Sequence, residues 1–251
     1  MKTIILGPPG TGKTTTLLNL VDEFIKKGIR PKQIGYFSFT KKAATEAATR
    51  AADKFGLDIE NDLANFRTLH SYAFNQLGMT KEKMMGPDDY KEFGQKCGIP
   101  IKTARFSTDD GTFNSDNEYL TIINTAAVKR MDLLEYYDSR QNILDIERNT
   151  LFLLADELKR FKKEKGLKDF NDLLEDFIEK DIKRSFEVLF IDEAQDLSLL
   201  QWDMVRCIWA NAKKTYIAGD DDQAIFKWAG ADVDHFIALK EEVDDIQTLD
   251  Q

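Results

Sequence analysis

The chain has 251 residues, 42% hydrophobic and 31% charged, enough for one large domain or a domain carrying an insertion around an ordinary core. A net charge of −9 excludes indiscriminate coating of nucleic acid but leaves room for a local basic groove. No apolar run approaches the ~20 residues of a membrane span, and Cys97 and Cys207 suggest neither a disulfide framework nor a zinc site, so reduced thiols in a cytoplasmic protein are expected.

Thr3–Leu6 is a short apolar run of the kind that forms a buried parallel strand. It leads directly into GPPGTGKTTT, which satisfies the phosphate-loop pattern at Gly7, Gly12, Lys13 and Thr14. Glycines allow the tight turn that points several backbone N–H groups at phosphate oxygens. Lys13 can reach the β- and γ-phosphates, the Thr14 hydroxyl suits a magnesium ion, and the helix that follows aims its positive end at the anion. That helix shows in Leu17, Leu18, Val21, Phe24 and Ile25, which share one face, and it stops at Lys26, Lys27 and Gly28. A second strand is predicted at Gly35–Phe39 and a second helix from Lys41 to Lys54. Strands alternating with helices predict an α/β fold with a parallel sheet.

The middle of the chain reads differently. From about Asn75 to Gly166 strand signals are sparse. Asn117–Tyr137 and Asn142–Lys165 have helical periodicity, and Ile99–Ser115, rich in turn formers, is predicted as a loop. This stretch is expected to be a mostly helical insertion at residues 75–165, within an α/β domain formed by residues 1–74 and 166–251. Its basic run, Lys159, Arg160, Lys162, Lys163, Lys165 and Lys168, reads either as a solvated helix face or as a contact for nucleic-acid phosphates.

EVLFIDEAQD restores the α/β pattern with a strand at Glu187–Ile191 that ends in acids. Asp192 is placed to hold magnesium, and Glu193 to take a proton from an attacking water. With Lys13 and Thr14 these carboxylates supply most of what phosphoryl transfer requires, namely positioning and charge neutralisation. ATP hydrolysis is therefore expected. Trp202 and Trp209, at helical spacing among apolar residues, are expected in the core. A last strand, Thr215–Ala218, opens AGDDDQAIFKWAGAD. Gln223 follows the strand end, where its amide can sense a γ-phosphate, and Phe226 and Trp228 come next. Read on composition, these two aromatics are either core residues or a platform for stacking bases.

Six segments in order, GPPGTGKTTT, FSFTKKAATEAATR, FRTLHSYAF, KDFNDLL, VLFIDEAQDLSLLQ and GDDDQAIFKWAGAD, resemble the motifs of superfamily 1 DNA helicases of the UvrD/PcrA/Rep type. The resemblance covers the α/β part well and the middle by position. It implies a RecA-like P-loop NTPase domain with an inserted helical subdomain, using ATP and Mg2+ to move 3′→5′ along single-stranded DNA. Gly7, Gly10, Thr11, Gly12, Lys13, Thr14 and Thr15 would surround the triphosphate. Thr14 and Asp192 would hold the metal. Lys13, Asp192, Glu193 and Gln223 would be catalytic. Phe39, Thr40, Thr68, His70, Phe226 and Trp228 would line the DNA, although a lone histidine beside Leu69 also reads as a packing residue.

The chain departs from the family pattern in three places. The segment carrying an adenine-reading glutamine is absent before the loop, Ala229 stands where an arginine usually follows the tryptophan, and the sequence ends at IQTLDQ. A second RecA-like domain is therefore expected beyond Gln251. As an N-terminal motor fragment, the chain would bind nucleotide weakly and not unwind duplex. Its partners would be single-stranded DNA and single-strand/duplex junctions, not a membrane. The rival readings are the motor half of a helicase–nuclease and a standalone ATP-gated single-strand binder. Another kind of P-loop ATPase, such as a clamp loader, has no use for TLHS or for GDDDQAIFKWAGA.

Overall fold

The computed structural model describes residues 1–140, 146–182, 184–220 and 230–249. Lys2–Leu6 (β1) runs into the glycine-rich loop and then Lys13–Lys26 (α1). Ile34–Ser38 (β2), Lys41–Phe55 (α2), the two-residue strand Phe66–Arg67 (β3) and Leu69–Gln76 (α3) follow. The middle contains Pro87–Cys97 (α4), Ala104–Phe106 (β4), Phe113–Ser115 (β5), Glu118–Val128 (α5), Leu133–Arg140 (α6) and Arg148–Lys165 (α7). Phe170–Glu179 (α8), Phe186–Asp192 (β6), Leu199–Trp209 (α9), Ala212–Gly219 (β7), Val233–Ala238 (α10) and Asp245–Thr248 (β8) complete the order.

Six strands form one wholly parallel sheet in the order β3-β2-β6-β7-β1-β8. Because side chains alternate along a strand, each strand feeds two cores. Ile4, Phe37, Leu189, Ile191 and Ile217 pack with α3, α8 and α9 on one face. Ile5, Tyr36, Val188, Phe190 and Ala218 pack with α1 and α2 on the other. A third cluster, from Met85, Tyr90 and Phe93 to Phe161 and Leu167, is built from the middle of the chain. The expected α/β class with a parallel sheet is the observed one. Trp202 and Trp209 are both buried. No helix among the described residues is long and apolar enough to cross a membrane.

Three elements differ from expectation. The stretch predicted as a loop holds an antiparallel hairpin, β4 with β5, in the register Ala104↔Ser115 to Phe106↔Phe113. The Phe106 and Phe113 rings meet across it at 4.8 Å, so an aromatic cross-strand pair stabilises what turn-forming residues disguise. The two edge strands were also unpredicted. β3 has only two residues, and β8 is largely exposed and lacks an apolar run.

Candidate functional site

In a parallel sheet all carboxyl ends share one edge, and there the loop after β1, the acids after β6 and Asp220 after β7 meet. A cleft of about 570 Å³ is lined by Gly10, Gly12, Lys13, Thr14 and Thr15 on one side. Thr40, Glu193, Gln195, Asp196 and Asp220 line the other. Gly12 holds φ +83° at the start of α1, a left-handed conformation open to glycine at little steric cost. It brings no side-chain cap, and the first turn carries no acid, so the amides at the helix start are left open to an anion in the cleft. Gly10, also left-handed, and Thr11 complete the loop, where the Thr11 hydroxyl donates to the Pro8 carbonyl at 2.8 Å. Gly7 packs against Thr11 and Leu249, too tightly to accept a Cβ. The Lys13 ammonium folds back on its own loop, donating to the carbonyls of Gly7 at 2.6 Å and Pro8 at 3.2 Å.

Asp192 ends β6 on the face of Val188 and Phe190, which turns it toward α1. Its Oδ2 accepts from the Thr14 hydroxyl at 3.0 Å and from the Tyr36 hydroxyl at 2.7 Å, and its Oδ1 from the Glu193 amide at 3.0 Å. Burial raises this carboxyl above the usual carboxylate range, opposed by the Tyr36 hydrogen bond. The Thr14 hydroxyl and the Asp192 carboxylate are hard oxygen donors, brought together from opposite parts of the chain, and they fit a magnesium ion. No group of three or more His, Cys, Asp or Glu side chains could hold a metal among the described residues. Magnesium usually takes one or two carboxylates plus phosphate oxygens, and the Thr14–Asp192 pair offers one carboxylate and one hydroxyl.

Glu193 sits at φ +53°, a left-handed backbone uncommon outside glycine, and lines the cleft one residue beyond Asp192. Gln195 ties the acids together. Its amide nitrogen donates to Glu193 Oε2 at 2.9 Å and to Asp196 Oδ2 at 3.2 Å, while its oxygen accepts from the Asp220 amide at 3.0 Å. Asp196 is 9% exposed, and its Oδ1 has no hydrogen-bond partner among the described residues. Burial, reinforced by the Glu193 charge, pushes its carboxyl up to about 7. Sequence reasoning did not single out Tyr36, Gln195, Asp196 or Asp220. The middle two lie inside a motif that was read only at its first two acids, and Tyr36 carries no sequence signal at all.

Of the residues assigned to nucleic acid, Phe39, Thr40, Thr68 and His70 fall among the described residues, and Phe39 and His70 line one small cavity with Asp110 and Gly111. Thr40 lines the cleft and caps α2, its hydroxyl accepting from the Ala43 amide at 3.2 Å. Thr68 caps α3 in the same way, through Ser71, and is buried. Phe39 is buried in the core next to β2. His70 is buried against the Phe170 ring and beneath Gly111, where a Cβ would lie 2.4 Å from the imidazole. Burial lowers this histidine to about 4, against the pull of Asp110 and Asp169. The tip of the β4–β5 hairpin makes this cover. The Asp109 carbonyl accepts from the Lys41 amide at 2.7 Å, and its carboxylate from the Lys42 amide at 3.2 Å, at the start of α2. Gln223, Phe226 and Trp228 lie outside the described residues. In the basic run, Lys162 bridges Asp169 and Asp172, Lys165 pairs with Glu92 and Lys168 with Asp176, whereas Lys159 and Lys163 are exposed.

The family model for the UvrD/REP helicase N-terminal domain matches residues 1–244. The chain belongs to this family. The ATP-dependent DNA helicase Rep of Buchnera aphidicola subsp. Baizongia pistaciae is 25% identical, over 98% of this chain and 37% of that protein. A probable DNA helicase of Mycoplasma pneumoniae is 29% identical, over 94% of this chain and 47% of its own length. The ATP-dependent DNA helicase Rep of Escherichia coli is 24% identical, over 95% of this chain and 37% of that protein. The chain thus spans between about a third and a half of the curated relatives it matches. Within the UvrD/REP family the six-stranded parallel sheet is the RecA-like helicase sheet, and the cleft lies where its loop after β1 meets its acids after β6.

Proposed function

We propose that this chain is the N-terminal motor portion of an ATP-dependent DNA helicase or translocase that moves 3′→5′ on single-stranded DNA. The observation that carries the reading is the Thr14–Asp192 hydrogen bond, which closes the phosphate loop onto the acid-bearing strand and leaves Glu193 facing the same cleft. On this reading Gly7, Gly10, Thr11, Gly12 and Thr15 cradle the triphosphate. Lys13 turns from its two loop carbonyls to the phosphates. Thr14 and Asp192 hold magnesium, whose charge offsets that of the phosphates and orders them. Glu193 accepts the proton of the attacking water, with Gln195 fixing its carboxylate. Gln223 reports the state of the γ-phosphate.

Single-stranded DNA then runs along the same sheet edge past Phe39, Thr40, Thr68 and His70, with Phe226 and Trp228 as further DNA contacts. Because Phe39 and His70 are covered, their use requires the Asp109–Gly111 tip to lift from α2. The separate cluster around Phe93 and Phe161 supports residues 75–165 as an inserted subdomain, with residues 1–74 and 166–251 forming the ATP-binding domain. A second RecA-like domain C-terminal to Gln251 would close the cleft, and junctions of single strand and duplex would be the substrate. The free thiols Cys97 and Cys207 fit a cytoplasmic setting. An ATPase assay on the full-length natural protein, with and without single-stranded oligonucleotide, tests the whole. Turnover stimulated by the oligonucleotide is expected, and turnover indifferent to DNA would count against a nucleic-acid motor.

A further inference from the structure

We propose that Tyr36 is a positioning residue for the metal-holding carboxylate, its buried hydroxyl fixing Asp192 in the orientation a magnesium–nucleotide complex needs. The inference rests on the reading of the cleft as a magnesium–nucleotide site and names a group that site depends on without touching the ligand.

Tyr36 lies on β2, fully buried, with its ring stacked on Phe66 at 5.4 Å and 9° and tilted against Phe190 at 6.0 Å. Phenylalanine would satisfy that packing equally well. A phenolic oxygen placed there costs free energy unless it is hydrogen-bonded. It finds its partner 156 positions away in sequence, because β2 and β6 are neighbours in the register Tyr36↔Phe190 and Ser38↔Asp192. The side chain reaches along the strand to the carboxylate two residues further on, on the same face of the sheet.

Asp192 is fully buried, so its three donors stand in for water. Thr14 and the Glu193 amide belong to the cleft's own machinery. Tyr36 is the one of the three that lies wholly inside the core and does not line the cleft. It therefore holds Oδ2 from behind, whether or not the loop around Thr14 rearranges. Donation from an outer group to a ligating carboxylate sets that ligand's orientation, and losing such a donor typically weakens metal affinity by about ten- to a hundredfold.

The test is Tyr36→Phe in this chain, with affinity for a fluorescent ATP analogue measured across a magnesium titration and in EDTA. The half-saturating magnesium concentration should rise about ten- to a hundredfold, while affinity in EDTA stays within about twofold of wild type. A parallel Phe66→Leu variant loosens the stack and keeps the hydroxyl. It should lower the melting temperature and leave the magnesium dependence in place. An unchanged magnesium dependence in Tyr36→Phe overturns the proposal. So does an equal loss in EDTA and in magnesium, or a Phe66→Leu variant that shifts the magnesium dependence as far. A wild-type chain whose nucleotide affinity ignores magnesium fails the parent reading instead, and is recognised before any variant is compared.

Discussion

Asp196 offers a sharp test of the electrostatics of the cleft. Its carboxyl stands at about 7, against an ordinary value of 3.8, because it is buried beside the Glu193 charge. The unfolded chain ionises this group near 3.8 and the folded chain near 7. Between those values the folded state binds more protons, so this group makes stability fall as pH rises through the window and level off above it. Full ionisation would cost about 4 kcal/mol at 1.36 kcal/mol per pKa unit, and solvent in the open cleft screens this to about 2 kcal/mol. Asp196→Asn resembles the protonated acid. Its side-chain oxygen can still accept from Gln195, and its amide nitrogen takes the place of the partnerless Oδ1. The variant should match wild type at about pH 4 and below, pull ahead as pH rises through the window, and be about 2 kcal/mol more stable at pH 8. Urea unfolding at a series of pH values reads the difference. Subtracting wild type from variant also cancels the contribution of His70, whose lowered pKa acts with the opposite sign. Two stability curves that run parallel from pH 5 to pH 8 would refute the reasoning.

Other outcomes follow from the same geometry. Glu193→Gln should preserve nucleotide affinity within about threefold and reduce turnover in the full-length protein by at least about a hundredfold; single-turnover hydrolysis measures this. Gly111→Ala forces a Cβ into the His70 ring at a position with φ +75°, a combined strain of about 2–4 kcal/mol. The hairpin tip should relieve it by lifting, so hydrogen exchange at the Lys41 and Lys42 amides should accelerate while the amides of β6 stay protected. A single-stranded oligonucleotide that displaces the tip should accelerate the same two amides in the wild-type chain.

The central strands were legible in the sequence because a buried parallel strand is a short apolar run, and Thr3–Leu6, Gly35–Phe39, Glu187–Ile191 and Thr215–Ala218 are such runs. Each falls on β1, β2, β6 or β7 with ends shifted by a few residues at most. β8 escaped because an edge strand facing solvent needs no apolar pattern, and its pairing with β1 is written in backbone hydrogen bonds alone. The glycine-rich turn into α1 was legible because its signal is local, with glycines, lysine and threonine all lying within eight residues. Asp192 and Glu193 were legible as the acidic end of a strand. Tyr36 was not, since its meaning depends on which strand lies beside β2, and that is a property of topology. The cover over His70 was hidden for the same reason. Asp109 and Gly111 sit in a stretch whose turn formers conceal a hairpin, and only the folded chain brings its tip to the start of α2.

The central claim is that the loop at Gly7–Thr15 and the acids at Asp192–Asp196 form one magnesium–triphosphate site. Calorimetric titration of a non-hydrolysable ATP analogue with magnesium, into the wild-type chain and Lys13→Ala, addresses it directly. A unit charge pair at 4 Å near a protein surface is worth about 4 kcal/mol, and the carbonyl hydrogen bonds that Lys13 gives up offset part of this. Wild type should bind, and Lys13→Ala should bind at least about tenfold more weakly with its melting temperature little changed. Equal affinity in the two proteins would contradict the account.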